Sequence, residues 1–152
     1  VELGEYTVNF ITNGRTVNRK ELFDWSREQD EKIRYYSGTA VYRTAFHWKD
    51  KPETTVYLNL GKVCNLATVR VNGVDCGTIW TAPYRTNITA ALKEGTNELE
   101  IEVTNTWANA LRGADEGKAP FDGIWTNAKY RRAEKTLLPA GLLGPLSFST
   151  TE

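Results

Sequence analysis

Apolar and polar positions alternate over much of residues 54–104, and a period of two puts successive side chains on opposite faces of a strand. In Thr55-Val56-Tyr57-Leu58-Asn59-Leu60 the apolar Val56, Leu58 and Leu60 share one face, while Thr55, Tyr57 and Asn59 take the other. Leu99, Ile101 and Val103 repeat the pattern against Glu98, Glu100 and Glu102. Between these runs, Val69-Arg70-Val71-Asn72-Gly73-Val74 predicts a type I′ hairpin, because both central turn positions need a positive φ that Asn and Gly tolerate best. The pattern predicts one antiparallel sheet holding these strands, with one wet face.

The longest predicted strand covers residues 39–48. It carries Tyr42, Thr44, Phe46 and Trp48 on one face and Val41, Arg43, Ala45 and His47 on the other, a pair of bulky faces that suits a central strand. Residues 6–10 alternate and then meet Asn13-Gly14, a strand and a turn. Leu22-Phe23-Asp24-Trp25 predicts an irregular or one-turn helical connection pinned by aromatics, with the charged residues 27–32 as a solvated loop. Asn87-Ile88-Thr89 is a glycosylation sequon only in a eukaryotic secretory setting. It is read here as the start of a single helical turn in which Ile88 and Leu92 are four apart and Gly95 acts as cap. Residues 142–148 supply a terminal strand. With roughly eight short strands, the expected fold is all-β, a two-sheet antiparallel sandwich of jelly-roll type.

A chain of 152 residues with 40% hydrophobic side chains fits one domain, residues 1–152, with a sizeable core. Nineteen basic residues balance nineteen acidic ones, so no net field gathers phosphate backbones or anionic lipid, and neither nucleic acid nor membrane is an expected partner. The apolar runs fall well short of the ~20 residues of a membrane span. The chain begins at Val1 and contains no Met, and it is expected to be a piece excised from a longer polypeptide. Hairpin arithmetic argues against a Cys64–Cys76 disulfide: Cys76 falls opposite Val69 on the inward face and Cys64 several rungs away, unless a bulge near Gly61 shifts the register. Two cysteines and the single His47 do not make a ligand set for a metal.

Alternation stops over residues 105–127, and a connection this long without a pattern is usually functional or docked on something. A sugar presents apolar C–H faces that stack on aromatic rings and hydroxyls that need planar polar partners. Asn105-Thr106-Trp107-Ala108-Asn109, with Arg112, Asp115, Asp122 and Trp125 downstream, offers that mixture and forms the candidate carbohydrate site. Some of these residues have a structural alternative: Trp107 sealing the end of the sandwich, Trp125 in the core, Arg112 paired with Asp115. Trp80 is read as an edge or loop packing residue ahead of a ligand-stacking one, and Trp25 and Trp48 as structural. Catalysis lacks parts, since there is no phosphate loop, no serine elbow and no second histidine.

The order and spacing of Val71-Asn72-Gly73, Gly77, Trp80, Pro83, Ile88-Thr89, Leu92, Gly95-Thr96-Asn97-Glu98-Leu99 and Val103 resemble the sugar-binding jelly-roll domain of family 2 glycoside hydrolases. Residues 37–43 and 141–146 sharpen the likeness toward the galactose-binding-like domain attached to large bacterial α-L-rhamnosidase-type glycosidases. The resemblance covers nearly the whole chain. It implies that the catalytic carboxylate pair, roughly 5 to 9 Å apart in such enzymes, lies in a separate barrel domain, so this chain alone is not an enzyme. It further implies that Trp107, Asn109 and Asp115 face the glycosidase active site or its domain interface, that the partners are carbohydrate and the parent's catalytic domain, and that the parent is periplasmic or secreted. No cofactor is expected; a structural Ca²⁺, common in such sandwiches, ranks low for want of a compact acidic loop. The expected role is an accessory domain that supports the catalytic domain and lends a loop to its carbohydrate site. An autonomous carbohydrate-binding module and a purely structural packing module are the alternatives.

Overall fold

A computed structural model describes residues 3–49, 54–105 and 139–151. Among these residues ten strands run in the order β1 (Tyr6–Phe10), β2 (Arg15–Arg19), β3 (Thr39–Trp48), β4 (Thr55–Cys64), β5 (Leu66–Val71), β6 (Val74–Ile79), β7 (Tyr84–Asn87), β8 (Gly95–Thr104), β9 (Gly141–Gly144) and β10 (Ser147–Thr151). They build two antiparallel sheets: six strands in the order β2-β1-β3-β8-β5-β6, and β10-β4-β7 with β9 also paired to β4. The expected all-β sandwich is the one observed, with β3 third of six, a central strand as expected.

The apolar stripes read from the sequence meet between the sheets. Val56, Leu58 and Leu60 of β4 face Leu99, Ile101 and Val103 of β8 through a single buried cluster with Val8, Phe10, Tyr42, Val69, Ile88 and Leu142. One expectation fails here. The three runs of residues 54–104 do not share a sheet: β4 lies across the core from β5 and β8, because the chain turns a corner at Asn65, whose N–H donates to the Thr104 carbonyl (3.0 Å). Alternation reports which face is buried and says nothing about which sheet owns it. The same corner removes Cys64 from the hairpin ladder, and both cysteines are free.

The hairpin itself forms as expected, with Asn72 and Gly73 at φ of 52° and 80° and Val71 opposite Val74. A register shift between Thr68 and Arg70 puts Thr68 opposite Thr78, so Cys76 sits at a bulge instead of squarely against Val69. A shift between Asn59 and Gly61 interrupts the ladder from β4 to β7, while residues 55–59 of β4 pair with β10 and residues 61–64 with β9. The terminal strand is therefore two strands, β9 and β10, divided at Pro145.

The helical turn after β7 is present, with Leu92 N–H donating to the Ile88 carbonyl (3.0 Å). Asn87 Oδ1 opens it by accepting from the Thr89 N–H (3.0 Å) and hydroxyl (2.6 Å), while Gly95 begins β8 instead of capping the turn. Between β2 and β3, Trp25–Arg27 forms a 3-10 turn capped by Asp24. The charged stretch, expected as loop, holds a four-residue helix, Glu31–Arg34, capped by Asp30. Thr86 donates its hydroxyl to the Cys76 carbonyl, tying β7 of one sheet to β6 of the other. Among the described residues, no group of three or more His, Cys, Asp or Glu side chains gathers around a metal-sized space, and no helix is long and apolar enough to cross a membrane.

Candidate functional site

Trp107, Asn109, Arg112, Asp115, Asp122 and Trp125 lie outside the described residues, as does the alternative pairing of Arg112 with Asp115. The structure does describe the two places where their segment, residues 106–138, joins the sandwich. Antiparallel register puts both joints at one end of the molecule. Thr104 is opposite Thr39 and Leu66, and Gly141 is opposite Cys64.

The outgoing joint is Asn105. Its Nδ2 donates to the Tyr36 carbonyl (3.0 Å), its Oδ1 accepts from the Gly38 N–H (2.9 Å), and its own N–H donates to the Gly38 carbonyl (3.2 Å). Asparagine suits this place because one planar amide satisfies a donor and an acceptor of the neighbouring chain together. With both ends of its amide engaged, Asn105 holds the joint and is not free for a sugar. Asn105→Ala is expected to cost about 2 kcal/mol, from two lost bonds and two partly buried backbone groups left open. Chemical denaturation against the parent chain measures it, and a change below about 0.5 kcal/mol would show that the joint carries no load.

The returning joint is Ala140-Gly141. Ala140 N–H donates to Asp24 Oδ1 (3.0 Å), and the Ala140 carbonyl accepts from Trp25 N–H (3.1 Å). Gly141 then passes the Trp25 indole so closely that a Cβ would stand 2.4 Å from Nε1, and at φ +95° no side chain would be tolerated in any case. Trp25 Nε1 donates to the Tyr42 hydroxyl (2.7 Å), which also accepts from Leu142 N–H (3.2 Å). Burial pushes the Tyr42 phenol well above its ordinary value, and these two donated bonds offset only part of that. The hydroxyl thus stays protonated and neutral.

One buried aromatic triangle links the two joints. Phe10, Trp25 and Tyr36 meet edge to face, with ring centroids 4.9 to 5.6 Å apart. Tyr36 serves the outgoing strand through its carbonyl, and Trp25 the returning one through its backbone and ring. The Tyr36 hydroxyl donates to the Thr39 carbonyl (2.6 Å) and accepts from Thr12 N–H (3.2 Å), fixing the triangle to β3 and the β1–β2 turn. Sequence reading placed Trp25 as structural, which the structure bears out, but did not single out Asp24, Tyr36, Tyr42 or Ala140. Asp24 and Tyr36 sit in an aromatic-rich stretch without alternation, Tyr42 reads as an ordinary face residue of β3 and Ala140 carries no signal, and none of these reveals the partner.

Trp80 departs from expectation. It is 71% exposed at the end of β6, so it does not pack. Since Ile79 pairs with Ala67, Trp80 stands at the same end of the sandwich as Asn105.

Fold and joints together define a galactose-binding-like sandwich with both joints at one end. Residues 17–137 match the family described as glycosyl hydrolase 2 galactose-binding domain-like, and the chain belongs to that family. A rhamnosidase from Novosphingobium sp. PP1Y superposes with a TM-score of 0.86 at 38% identity, over 95% of this chain and 14% of the rhamnosidase. A Formosa agariphila protein bearing the name of a beta-glucuronidase is 35% identical over 96% of this chain, which spans 15% of that protein's length. The Ruminococcus gnavus beta-glucuronidase, at 20% identity and a TM-score of 0.58 over 68% of this chain and 20% of that one, shares the fold. The chain is thus a glycoside-hydrolase-type domain spanning about one seventh of the rhamnosidase and of the Formosa protein.

Proposed function

We propose that this chain is a non-catalytic domain of a larger bacterial glycoside hydrolase, residues 1–152 forming one domain. In this reading it supports the catalytic domain and holds residues 106–138 toward the carbohydrate site. The observation that carries the reading is the clamping of both ends of that segment on the Phe10–Trp25–Tyr36 triangle. A rigid root lets a segment position a sugar for carboxylates supplied elsewhere, and positioning is where such a domain contributes to rate. Trp107, Asn109, Arg112, Asp115, Asp122 and Trp125 are the proposed contacts, carbohydrate and the catalytic domain the proposed partners, and the periplasm or exterior the proposed compartment of the parent.

The test has two arms. The chain alone is expected to hydrolyse neither aryl rhamnosides nor aryl glucuronides and to show no glycan binding that depends on Trp107. In the full-length parent, Trp107→Ala is expected to raise KM about tenfold, the effect of losing a stacked ring. Hydrolysis by the chain alone would overturn the reading. Saturable binding by the chain that Trp107→Ala abolishes would establish the second reading, an autonomous carbohydrate-binding module, which the exposed Trp80 favours.

A further inference from the structure

The solvent face of the six-stranded sheet holds a polar concavity of about 500 Å³ that lies away from the end where the Asn105 and Ala140 joints sit. It is lined by Glu5, Thr7, Arg43, Ala45, Arg70, Glu98 and Glu100, with Gly73 at its edge. Two rows of side chains build it. Register sets Thr7, Arg43, Glu100 and Arg70 side by side across β1, β3, β8 and β5. The next row places Ala45 beside Glu98, with Glu5 on the other flank, where Gly4 N–H donates to the Ala45 carbonyl (3.0 Å). Ala45 is the small residue that leaves the space, and the carboxylates of Glu5 and Glu98 stand on either side of it.

The charges are arranged, not merely present. Glu100 takes Arg43 Nε on one oxygen (3.1 Å) and Arg70 Nη1 on the other (3.2 Å), and Glu102 takes Arg70 Nη1 at 2.7 Å. Both guanidinium planes are thereby held across three strands, and each keeps N–H donors that no described residue accepts. Glu5 and Glu98 are exposed, and among the described residues nothing pairs with either carboxylate. Fixed donors on one row and open acceptors on the next, around a floor of ligand size, match vicinal hydroxyls, each of which both donates and accepts.

We propose that this concavity is a second saccharide-binding surface, selective for neutral sugars over uronic acids. Glu100 and Glu102 neutralise the two arginines, so the unpaired Glu5 and Glu98 set the sign of the field and repel a sugar carboxylate. An open polar site of this kind gives weak binding, with Kd on the order of 1 mM. The proposal does not rest on the role of residues 106–138.

The experiment is a ¹⁵N NMR titration of the chain with methyl β-D-glucoside and methyl β-D-glucuronide, which share a ring and differ in the carboxylate. Saturating shifts of the Arg43, Ala45, Glu98 and Glu100 amides with the glucoside are expected, with the glucuronide about fivefold weaker, the scale of two carboxylates several ångströms away in a wet site. Ala45→Tyr fills the floor at an exposed strand position where tyrosine is well tolerated, and it should abolish the shifts. Glu98→Gln, isosteric and exposed, should narrow the preference for the neutral sugar while Trp107→Ala and Trp80→Ala leave the binding unchanged. Absence of saturating shifts, shifts that survive in Ala45→Tyr, or a glucuronide that binds as well as the glucoside would each overturn the proposal. Binding lost only in Trp107→Ala would overturn it too, and would bear on the segment's role instead.

Discussion

Trp25→Ala is expected to lower stability by about 4 kcal/mol, the largest loss from a single side chain among the described residues. Trp25 is fully buried, its ring packs against Phe10 and Tyr36, and its Nε1 donates to the Tyr42 hydroxyl. Alanine leaves a cavity the size of an indole between two sheets whose other members are themselves fixed, so collapse is limited. It also opens the space beside Gly141 that the ring now fills. The consequence reaches beyond stability: amide exchange should accelerate at both Asn105 and Leu142, since the triangle serves both joints. Urea denaturation with native-state hydrogen exchange measures the two effects together. A loss below about 1.5 kcal/mol, or faster exchange at one joint only, would show that the triangle does not couple them.

At the opposite end of the six-stranded sheet, Asn97→Ala is expected to cost about 3 kcal/mol. Asn97 is fully buried, and its amide makes four hydrogen bonds. Oδ1 accepts from Lys93 N–H (2.9 Å) and Asn72 Nδ2 (2.9 Å), and Nδ2 donates to the carbonyls of Lys93 (2.8 Å) and Gly95 (3.1 Å). Asn72 continues the network, donating to the Ala91 carbonyl (2.9 Å) and accepting from Glu98 N–H (2.9 Å) while it holds the positive φ of the hairpin. Removing Asn97 strands several groups at once, and a stranded buried polar group loses more than the net worth of its bond. Asn97→Asp should be no milder, because a carboxylate oxygen would replace the Nδ2 donor against two carbonyls. The exposed neighbour Thr96→Ala should change stability by less than about 0.5 kcal/mol. Equal effects at 96 and 97 would refute the network as the source.

The concavity on the six-stranded sheet and the joints at Asn105 and Ala140 lie on different parts of the described structure. Their variants are separable for that reason. Ala45→Tyr touches neither joint, and Asn105→Ala touches no residue of the concavity.

Period-two patterning by itself determined the apolar stripes that β4 and β8 bury, and Asn72-Gly73 determined the hairpin that joins β5 to β6. Both signals are local: a strand's buried face follows from its own alternation, and a turn's backbone from its own two residues. The resemblance in motif order likewise reached the family, because spacing along a chain survives without knowledge of contacts. Only tertiary structure decided that β4 belongs to the second sheet, since a corner at Asn65 leaves no mark on alternation. It alone joined Asp24, Trp25, Tyr36 and Tyr42 to Asn105 and Ala140, partners up to 116 positions apart that no local pattern connects. And it alone set Glu5 beside Ala45 and Glu98, because in the sequence these are solvent-face residues of three separate segments, and strand register is what makes them one surface.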